Sequence, residues 1–349
     1  MNDKPTIYEV ARLSGVSTAT VSRVMHDGVG FSANTRKSVL ASAAALGWMP
    51  NHSARSLARR RAGLVGLLFP DFGSEGVAED ESMLFLDQVI RGAERAASNA
   101  GDAIVIGATR GRAGGELARS LVGKVDGLIV LAGSLDAEEL AEISARVPVV
   151  VLATHSTRNK LDFVEADSRG GAVAATRHLI DEHGATDLAF VAGPARSPDS
   201  MERFTGFVNA LEAAGLAPPT TAEVHGGFTE AGGAHAVEDL LEARTTVPHA
   251  IVFGNDEMAI GGLATIRARG LRVPDDIAIT GFDDIVSARH VDPTLTTVRQ
   301  PMRDIGVTAV HTLLQRITEP DAPRHTVTLP TSLVVRASCG CADLTGVAR

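Results

Sequence analysis

Thr6-Ile7-Tyr8-Glu9-Val10-Ala11, followed by Gly15-Val16-Ser17-Thr18-Ala19-Thr20-Val21-Ser22-Arg23-Val24, reads as two short helices joined by a tight turn. Thr6 and Glu9 have the spacing of a reciprocal helix cap, and Val10 and Leu13 give the first helix an apolar side. Gly15 supplies a turn position where a side chain would be costly. Ser17 starts the second helix; Val21, Val24 and Met25 fall on one face of it, which leaves Thr18, Ala19, Ser22 and Arg23 exposed. Short hydroxyl and methyl side chains near a helix N-terminus let the backbone approach the major groove of a duplex. A guanidinium one turn later can reach guanine edges or a phosphate. A third helix over 32–46, closed by Gly47, would cover the first two with Val39, Leu40, Ala43 and Leu46. The helical pattern alone fits a small core with no nucleic-acid role equally well.

Charge separates these two readings. Residues 1–62 hold nine Lys or Arg against three acids, a balance of +6, whereas the whole 349-residue chain is formally −9, so the remainder carries −15. A body that acidic is repelled by DNA, and binding must be concentrated at the basic end. At 44% hydrophobic content the chain can bury more than one core. Its two cysteines, Cys339 and Cys341, form no disulfide framework, as expected in a reducing compartment. Asn2-Asp3-Lys4 begins no secretory signal and no apolar run is long enough to span a bilayer, so a cytoplasmic location without membrane contact is expected.

Downstream of the head, Ala54, Leu57 and Ala58 would line one side of a short helix flanked by Arg55 and Arg59, although an Arg- and Ser-rich linker reads the same way. A leucine on a basic helix is suited to wedge between base steps of a minor groove, and a helix this short would fold only when DNA and a partner copy hold it. Apolar strands then alternate with helices. Strands are expected at 64–69, 103–107, 127–131 and 149–152, with helices at 85–100 and 137–145. A second series has helices at 169–182, 203–214, 230–243 and 257–269, and strands at 188–192, near Val224, at 251–253 and at 277–280. Such continuous apolar strands need helices on both faces, which implies two α/β lobes with mainly parallel sheets and a ligand between them at the strand C-terminal ends.

Several segments carry weaker signals. The long acidic stretch 71–82 places Phe72 where it could touch a ligand, while its acids read as a solvated loop. Residues 107–118 read as a Gly/Arg-rich surface loop in which Arg110 and Arg112 could meet an anion. Asn255 and Asp256, just past a strand, can donate and accept hydrogen bonds to a ligand, or Asp256 can cap the next helix. The histidines show no metal-binding spacing, Cys339-x-Cys341 alone is too sparse for zinc, and Gly254, Gly261 and Gly262 lack the order of a dinucleotide loop. No nucleophile pairs with a base. Neither an enzyme, a cofactor nor a metal is expected.

Ile7-Tyr8-Glu9-Val10-Ala11, Gly15-Val16-Ser17, Thr20-Val21-Ser22-Arg23-Val24, Thr35-Arg36, Gly47-Trp48-Met49-Pro50-Asn51 and Ala54-Arg55-Ser56-Leu57 appear in the order found in the lactose-repressor/galactose-repressor (LacI/GalR) family. Asp126-Gly127-Leu128-Ile129, Asp167-Ser168-Arg169-Gly170-Gly171, Glu202-Arg203-Phe204-Thr205-Gly206-Phe207, Gly254-Asn255-Asp256-Glu257, Gly281-Phe282-Asp283-Asp284 and Val335-Arg336 extend the resemblance over nearly the whole chain.

The resemblance implies a helix-turn-helix head (1–50), a hinge helix and linker (51–63), an effector-binding and dimerisation domain (64–341) of two periplasmic-binding-protein-like lobes, and a tail (342–349). The first lobe would comprise about 64–164 and 295–326, the second about 165–293 and 327–341, with crossovers near Glu165, Pro293 and Leu329. Such a protein is an effector-responsive repressor of carbohydrate or related metabolite genes. It binds near-palindromic operator DNA as a homodimer or a tetramer and takes a sugar or sugar derivative as effector. Thr18, Ala19 and Arg23 would be the main major-groove readers; Thr6, Ser17, Thr20, Ser22, His26 and Thr35 are further DNA candidates in the head. Asn51, Ala54 and Leu57 follow at the hinge, Leu57 as the intercalating leucine. His26 replaces the family's usual Asn, and Trp48 a common Tyr. Phe72, Arg203, Phe228, Asn255 and Asp283 are the candidate effector contacts. Met201 stands where many lactose- or ribose-type members carry an effector-binding Arg, and Ala153 where Asp is frequent, so those pockets should not be copied here. The rival reading is a soluble small-molecule-binding protein without operator specificity, its basic end serving another contact.

Overall fold

The structure, a computed structural model, describes residues 5–25, 30–49, 61–70, 84–109, 114–152 and 161–342. The chain divides into two units, Met1–Ala62 and Gly63–Arg349.

The first unit is built from α1 (Ile7–Ser14), α2 (Thr18–Met25) and α3 (Ala33–Leu46). The Thr6 amide donates to Glu9 Oε2 at 2.7 Å, which fixes the entry of α1. Gly15 ends that helix at φ 69°, a left-handed conformation that glycine adopts without a Cβ penalty. Ser17 Oγ then accepts from the Thr20 amide at 3.2 Å, and Ser32 Oγ from the Thr35 amide at 3.1 Å, so each following helix begins at a capping serine. Val10, Ala11, Val21, Val24, Val39 and Ala43 form the core, with Phe31, Leu46 and Trp48 packed against it. Leu13 and Leu40, expected to be covered, are 57% and 44% exposed. The buried stripe of α3 runs through Val39, Ser42 and Ala43, and Leu40 lies one helical step off it. Three helices this short cannot enclose every apolar side chain.

In the second unit the chain runs β1 (Leu64–Pro70), α4 (Leu84–Ala100), β2 (Ala103–Thr109), α5 (Gly114–Leu121), β3 (Gly127–Leu131), α6 (Ala137–Ser144), β4 (Val149–Leu152) and β5 (Asp162–Ala166). It continues through α7 (Ser168–His183), β6 (Leu188–Ala192), α8 (Pro198–Ala213), β7 (Val224–His225), α9 (Glu230–Ala243), β8 (Ala250–Phe253), α10 (Asp256–Ala268) and β9 (Ala278–Asp283). Last come β10 (Thr296–Arg299), α11 (Met302–Thr318), β11 (Thr326–Leu329) and β12 (Ser332–Val334). Two sheets result, with strand orders β11-β5-β4-β3-β1-β2 and β12-β10-β9-β8-β6-β7. All the pairings are parallel except β10 with β12.

Alternate residues of the central strands enter opposite cores. Val65 and Leu67 of β1 face Val89 and Ala93 of α4 and Ile305 and Ala309 of α11, whereas Leu68 faces Ala118 and Leu121 of α5 and Ile143 of α6. In the second sheet Ala189 and Val191 join the helices α9 and α10, and Phe190 joins Leu179 of α7 and Phe207 of α8. Covered on both sides, the strands lack polar alternation, and that signature is what made them legible.

Several placements differ from expectation. Gly114–Leu121 is helical, so the loop expected over 107–118 ends inside an element whose buried face is Ala118 and Leu121. Helix α8 starts at Pro198, ahead of the expected 203, because Ser197 caps it and the proline occupies its first turn. Finally, Thr296–Arg299 pairs with β9 and β12, which puts it in the second sheet and moves the middle crossover from near Pro293 to Gln300. Val298 is buried against Phe282 and Ala175, an apolar attachment made before the chain leaves for α11. Conversely, Thr326–Leu329 pairs with β5, so 327–329 belongs to the first sheet. Among the described residues no helix is long and apolar enough to cross a membrane.

Candidate DNA-reading head and effector cleft

On α2, Ala19 and Arg23 are exposed and Thr18 and Ser22 half-buried, while Val21 and Val24 turn into the core. The Arg23 guanidinium carbon lies 5.0 Å from the centre of the Phe31 ring. Thr6, Ser17, Thr20 and Thr35 each take part in a helix-end bond, and Ala19 and Arg23 are the fully exposed candidates on α2. His26, Asn51, Ala54 and Leu57 lie outside the described residues, as does Phe72 of the effector candidates.

In the second unit a cavity of about 330 Å³ opens between the two sheets. Pro70 and Leu131 at the ends of β1 and β3 line one wall; Pro194 after β6 and Asn255 after β8 line the other. In each sheet these are the neighbouring strands at which the direction of winding reverses, the place where such sheets leave a crevice. Arg203, Phe228, Asn255 and Asp283 all border it, so the four described effector candidates are brought together.

Asp283 ends β9 at φ 121° and Asp284 follows at φ 58°, two left-handed residues in succession, which non-glycine side chains adopt only when their surroundings dictate it. The surroundings do. Asp284 takes a bond from Arg336, one from Arg299 Nε at 2.6 Å and one from Arg289 Nη2 at 3.4 Å. Burial alone would raise its pKa, but the Arg336 and Arg299 bonds overcome that and hold it below the ordinary carboxylate range. One step further, Asp256 accepts from the Ile285 amide at 2.9 Å and from Thr297 Oγ1 at 2.5 Å. The turn is thereby pinned, and Asp283 points into the cleft.

There Asp283 receives Gln300 Nε2 at 2.5 Å and has Arg203 Nη1 at 3.6 Å. Arg203 is buried, donates Nη1 to Gly254 O at 2.5 Å, and stacks with its guanidinium carbon 3.9 Å from the Phe282 ring centre and 5.5 Å from that of Phe228. Its Nε, also buried, finds no acceptor among the described residues. Burial pushes the Asp283 pKa up to about 6, partly offset by Arg203 and Gln300. Burial, followed by the charge of Asp283, pushes the pKa of Asp256 well above the ordinary carboxylate value. The cap of α10 is Asn255, whose Oδ1 accepts from the Met258 amide at 3.0 Å while Nδ2 donates to Phe228 O at 3.1 Å. The alternative reading of Asp256 as the cap is thereby corrected. Phe228 itself sits at φ 69°, its ring laid over Gly193, where a methyl group would come within 2.2 Å of it.

Met201 is 59% exposed and does not border the cavity, so Arg203 supplies the only described guanidinium buried there. Gln300 was missed from sequence. It becomes visible only once β10 is assigned to the second sheet, since the residue after that strand faces the end of β9.

Known proteins match along nearly the whole chain. Residues 6–51 match the family described as bacterial regulatory proteins, lacI family, and residues 176–339 the periplasmic binding protein-like domain. The catabolite control protein A of Priestia megaterium is 36% identical over 338 residues, covering 95% of this chain and 98% of its own. The ribose operon repressor of Escherichia coli (strain K12) is 32% identical, covering 95% and 99%. Among solved structures, a lac repressor dimer bound to operator and the anti-inducer ONPF superimposes with a TM-score of 0.81 at 28% identity, covering 97% and 99%. A transcriptional regulator CelR–cellobiose complex does so with 0.72 at 31%, covering 96% and 99%. A three-helix head, two lobes of mainly parallel sheets bordering one cleft, and relatives that cover 95% or more of the chain leave one conclusion: the chain belongs to the lacI family of bacterial regulatory proteins, effector-responsive transcription regulators that are not enzymes.

Proposed function

We propose that two copies of this chain read a near-palindromic operator through the exposed faces of α2, and that a sugar or sugar derivative in the cleft sets how tightly they hold it, repressing genes of carbohydrate metabolism. The observation that carries this reading is the convergence of Asp283, Gln300, Arg203 and Phe228 on one 330 Å³ cavity. A carboxylate accepts two vicinal hydroxyls, an amide and a guanidinium add donors, and a ring face packs on the C–H surface of a pyranose. The volume lies at the low end of the roughly 300–1,000 Å³ of small-molecule pockets, which favours one or two sugar rings. Relatives support the class: one solved regulator holds cellobiose and another, from Enterococcus faecium, holds ribose. The effector acts by binding the operator-ready and released forms with different affinity.

Calorimetric titration of a carbohydrate and sugar-acid panel tests the cleft. Asp283→Ala is expected to weaken the binding compound by about 10- to 100-fold, the loss of a hydrogen-bonded charged group at about 1.5–3 kcal/mol. Unchanged affinity would remove Asp283 from the site. The acceptor role also fixes a pH dependence. Because the carboxyl titrates at about 6, affinity falls as pH drops below that value, up to tenfold per pH unit, and Asp283→Asn flattens the profile. Folding has the opposite sign at this residue: an Asp with a raised folded pKa costs stability once ionised, a cost complete above about pH 6 and relieved on acidification.

A further inference from the structure

We propose that the second lobe carries a structural zinc site formed by His178, His183, Cys339 and Cys341. The sequence offered no such site, because the histidines and cysteines lie some 160 positions apart and Cys-x-Cys alone is too sparse a signal. Folding removes that separation. His178 and His183 occupy the last turns of α7, and the chain after β12 enters a short 3-10 turn, Ala337–Cys339, that packs beside them.

Three of the six ligand-atom separations suit the edges of a tetrahedron. His178 Nε2 is 3.3 Å from Cys339 Sγ and 3.6 Å from Cys341 Sγ, and His183 Nε2 is 3.3 Å from Cys341 Sγ. The four ligand atoms lie within 4.8 Å of one another. Zinc bonds of about 2.3 Å to sulfur and about 2.0–2.1 Å to imidazole nitrogen require tetrahedral edges of about 3.3–3.8 Å. These three distances fall in that range. Two thiols and two imidazoles filling every corner make a closed Cys2His2 set, the composition of structural rather than catalytic zinc.

Two details of the backbone and its surroundings point the same way. Gly340, between the cysteines, sits at φ 103°, and a Cβ there would lie 3.3 Å from the His183 ring. The glycine conformation turns both sulfurs to one side and lets the imidazole approach. Thr296 Oγ1, buried, donates to Cys339 Sγ at 3.1 Å, a bond of the kind that orients a metal-bound thiolate. The C-terminal end of α7 adds the negative end of a helix dipole, which favours a cation. Bound there, zinc would clip the segment after β12 to the first helix of the second lobe.

The test uses the full chain purified under thiol-reducing, chelator-free conditions. Mass spectrometry of the metal content is expected to give one zinc per chain. After chelation, cobalt(II) should restore the visible bands of a tetrahedral ion together with a thiolate-to-cobalt charge-transfer band. Cys341→Ser and His183→Asn change half-buried and exposed side chains, so the lobe should keep its circular dichroism while zinc content falls at least tenfold and the charge-transfer band weakens or goes. Chelation should lower the thermal midpoint of the parent chain and leave that of Cys341→Ser unmoved. Absence of stoichiometric zinc and of the cobalt spectrum, zinc content unaltered by both variants, or a Cys339–Cys341 disulfide in the reduced preparation would each overturn the assignment.

Discussion

Arg23→Ala is expected to weaken the specific operator complex by roughly 30-fold to 10⁴-fold. Each bidentate arginine–guanine pair discriminates by about 1–3 kcal/mol, and a symmetric operator engages two copies, so the complex loses about 2–6 kcal/mol. Arg23 is exposed on α2 one turn beyond Thr18 and Ala19, on the side opposite Val21 and Val24, so truncation leaves the head's core intact. Its packing beside Phe31 holds the guanidinium in place without burying it. The loss should concentrate on the operator. A phosphate contact would instead weaken all duplexes alike and reduce the salt dependence by about one counterion per copy. Fluorescence anisotropy on operator and scrambled duplexes at one ionic strength distinguishes these outcomes, with far-ultraviolet circular dichroism confirming the helices. Equal affinity of the variant and the parent for operator would remove Arg23 from the reading face.

Arg316→Leu is expected to cost about 3–5 kcal/mol of stability in the second unit, the usual result of leaving a buried charge without its partner. Asp162, fully buried at the start of β5, receives Arg316 Nε at 2.8 Å and Nη2 at 2.9 Å. The same guanidinium donates to Ala322 O at 2.5 Å and Pro323 O at 2.9 Å, so it ties the end of α11 to the turn that leads into β11. Removing it takes the main charge partner from the carboxylate and a donor from four carbonyls, those of Glu319, Pro320, Ala322 and Pro323, although Arg324 Nη1 and the His325 amide, each 3.2 Å from Asp162, limit the damage. Burial of Asp162 opposes its ionisation, but Arg316 and the His325 amide outweigh this, and the pKa is depressed. A depressed carboxyl stabilises the fold above its unfolded pKa and loses that contribution as pH falls through the folded one. The parent should therefore lose stability on acidification more steeply than Arg316→Leu. Urea unfolding followed by circular dichroism at several pH values measures both effects; an unchanged midpoint would show that the pair is dispensable.

What could be read from the sequence was what local chemistry writes. Thr6 with Glu9, Gly15, Ser17 and Ser32 each specify a helix end through neighbours within a few residues, and each end stands where it was expected. The central strands were legible because burial on both faces removes polar residues from them. Strand β10 was not, since Thr296 and Thr297 look polar, and only their burial against the C-terminal segment, through bonds such as the Arg336 amide to Thr296 Oγ1, makes them a strand. Helix α5 was hidden by its two leading glycines, and α11 gave no capping residue to mark its start.

The cleft followed the same division. Arg203, Phe228 and Asp283 were placed by family likeness and Asn255 by its position just past a strand, and the structure adds a turn with positive φ at Asp283 and Asp284, held by Arg336, Arg299 and Asp256. Gln300 and the His178, His183, Cys339, Cys341 cluster depend on contacts across long sequence separations. No periodicity encodes those contacts.

The measurement that bears most directly on the central claim is the ratio of operator to non-specific affinity for the full chain. Genomic fragments retained by the purified protein supply the operator; a scrambled duplex of equal length supplies the reference, at one moderate salt concentration. A basic reading head on an acidic sensor predicts a ratio of about 10³ or more. A ratio near one for every retained fragment, with and without the cleft's ligand, would contradict the account.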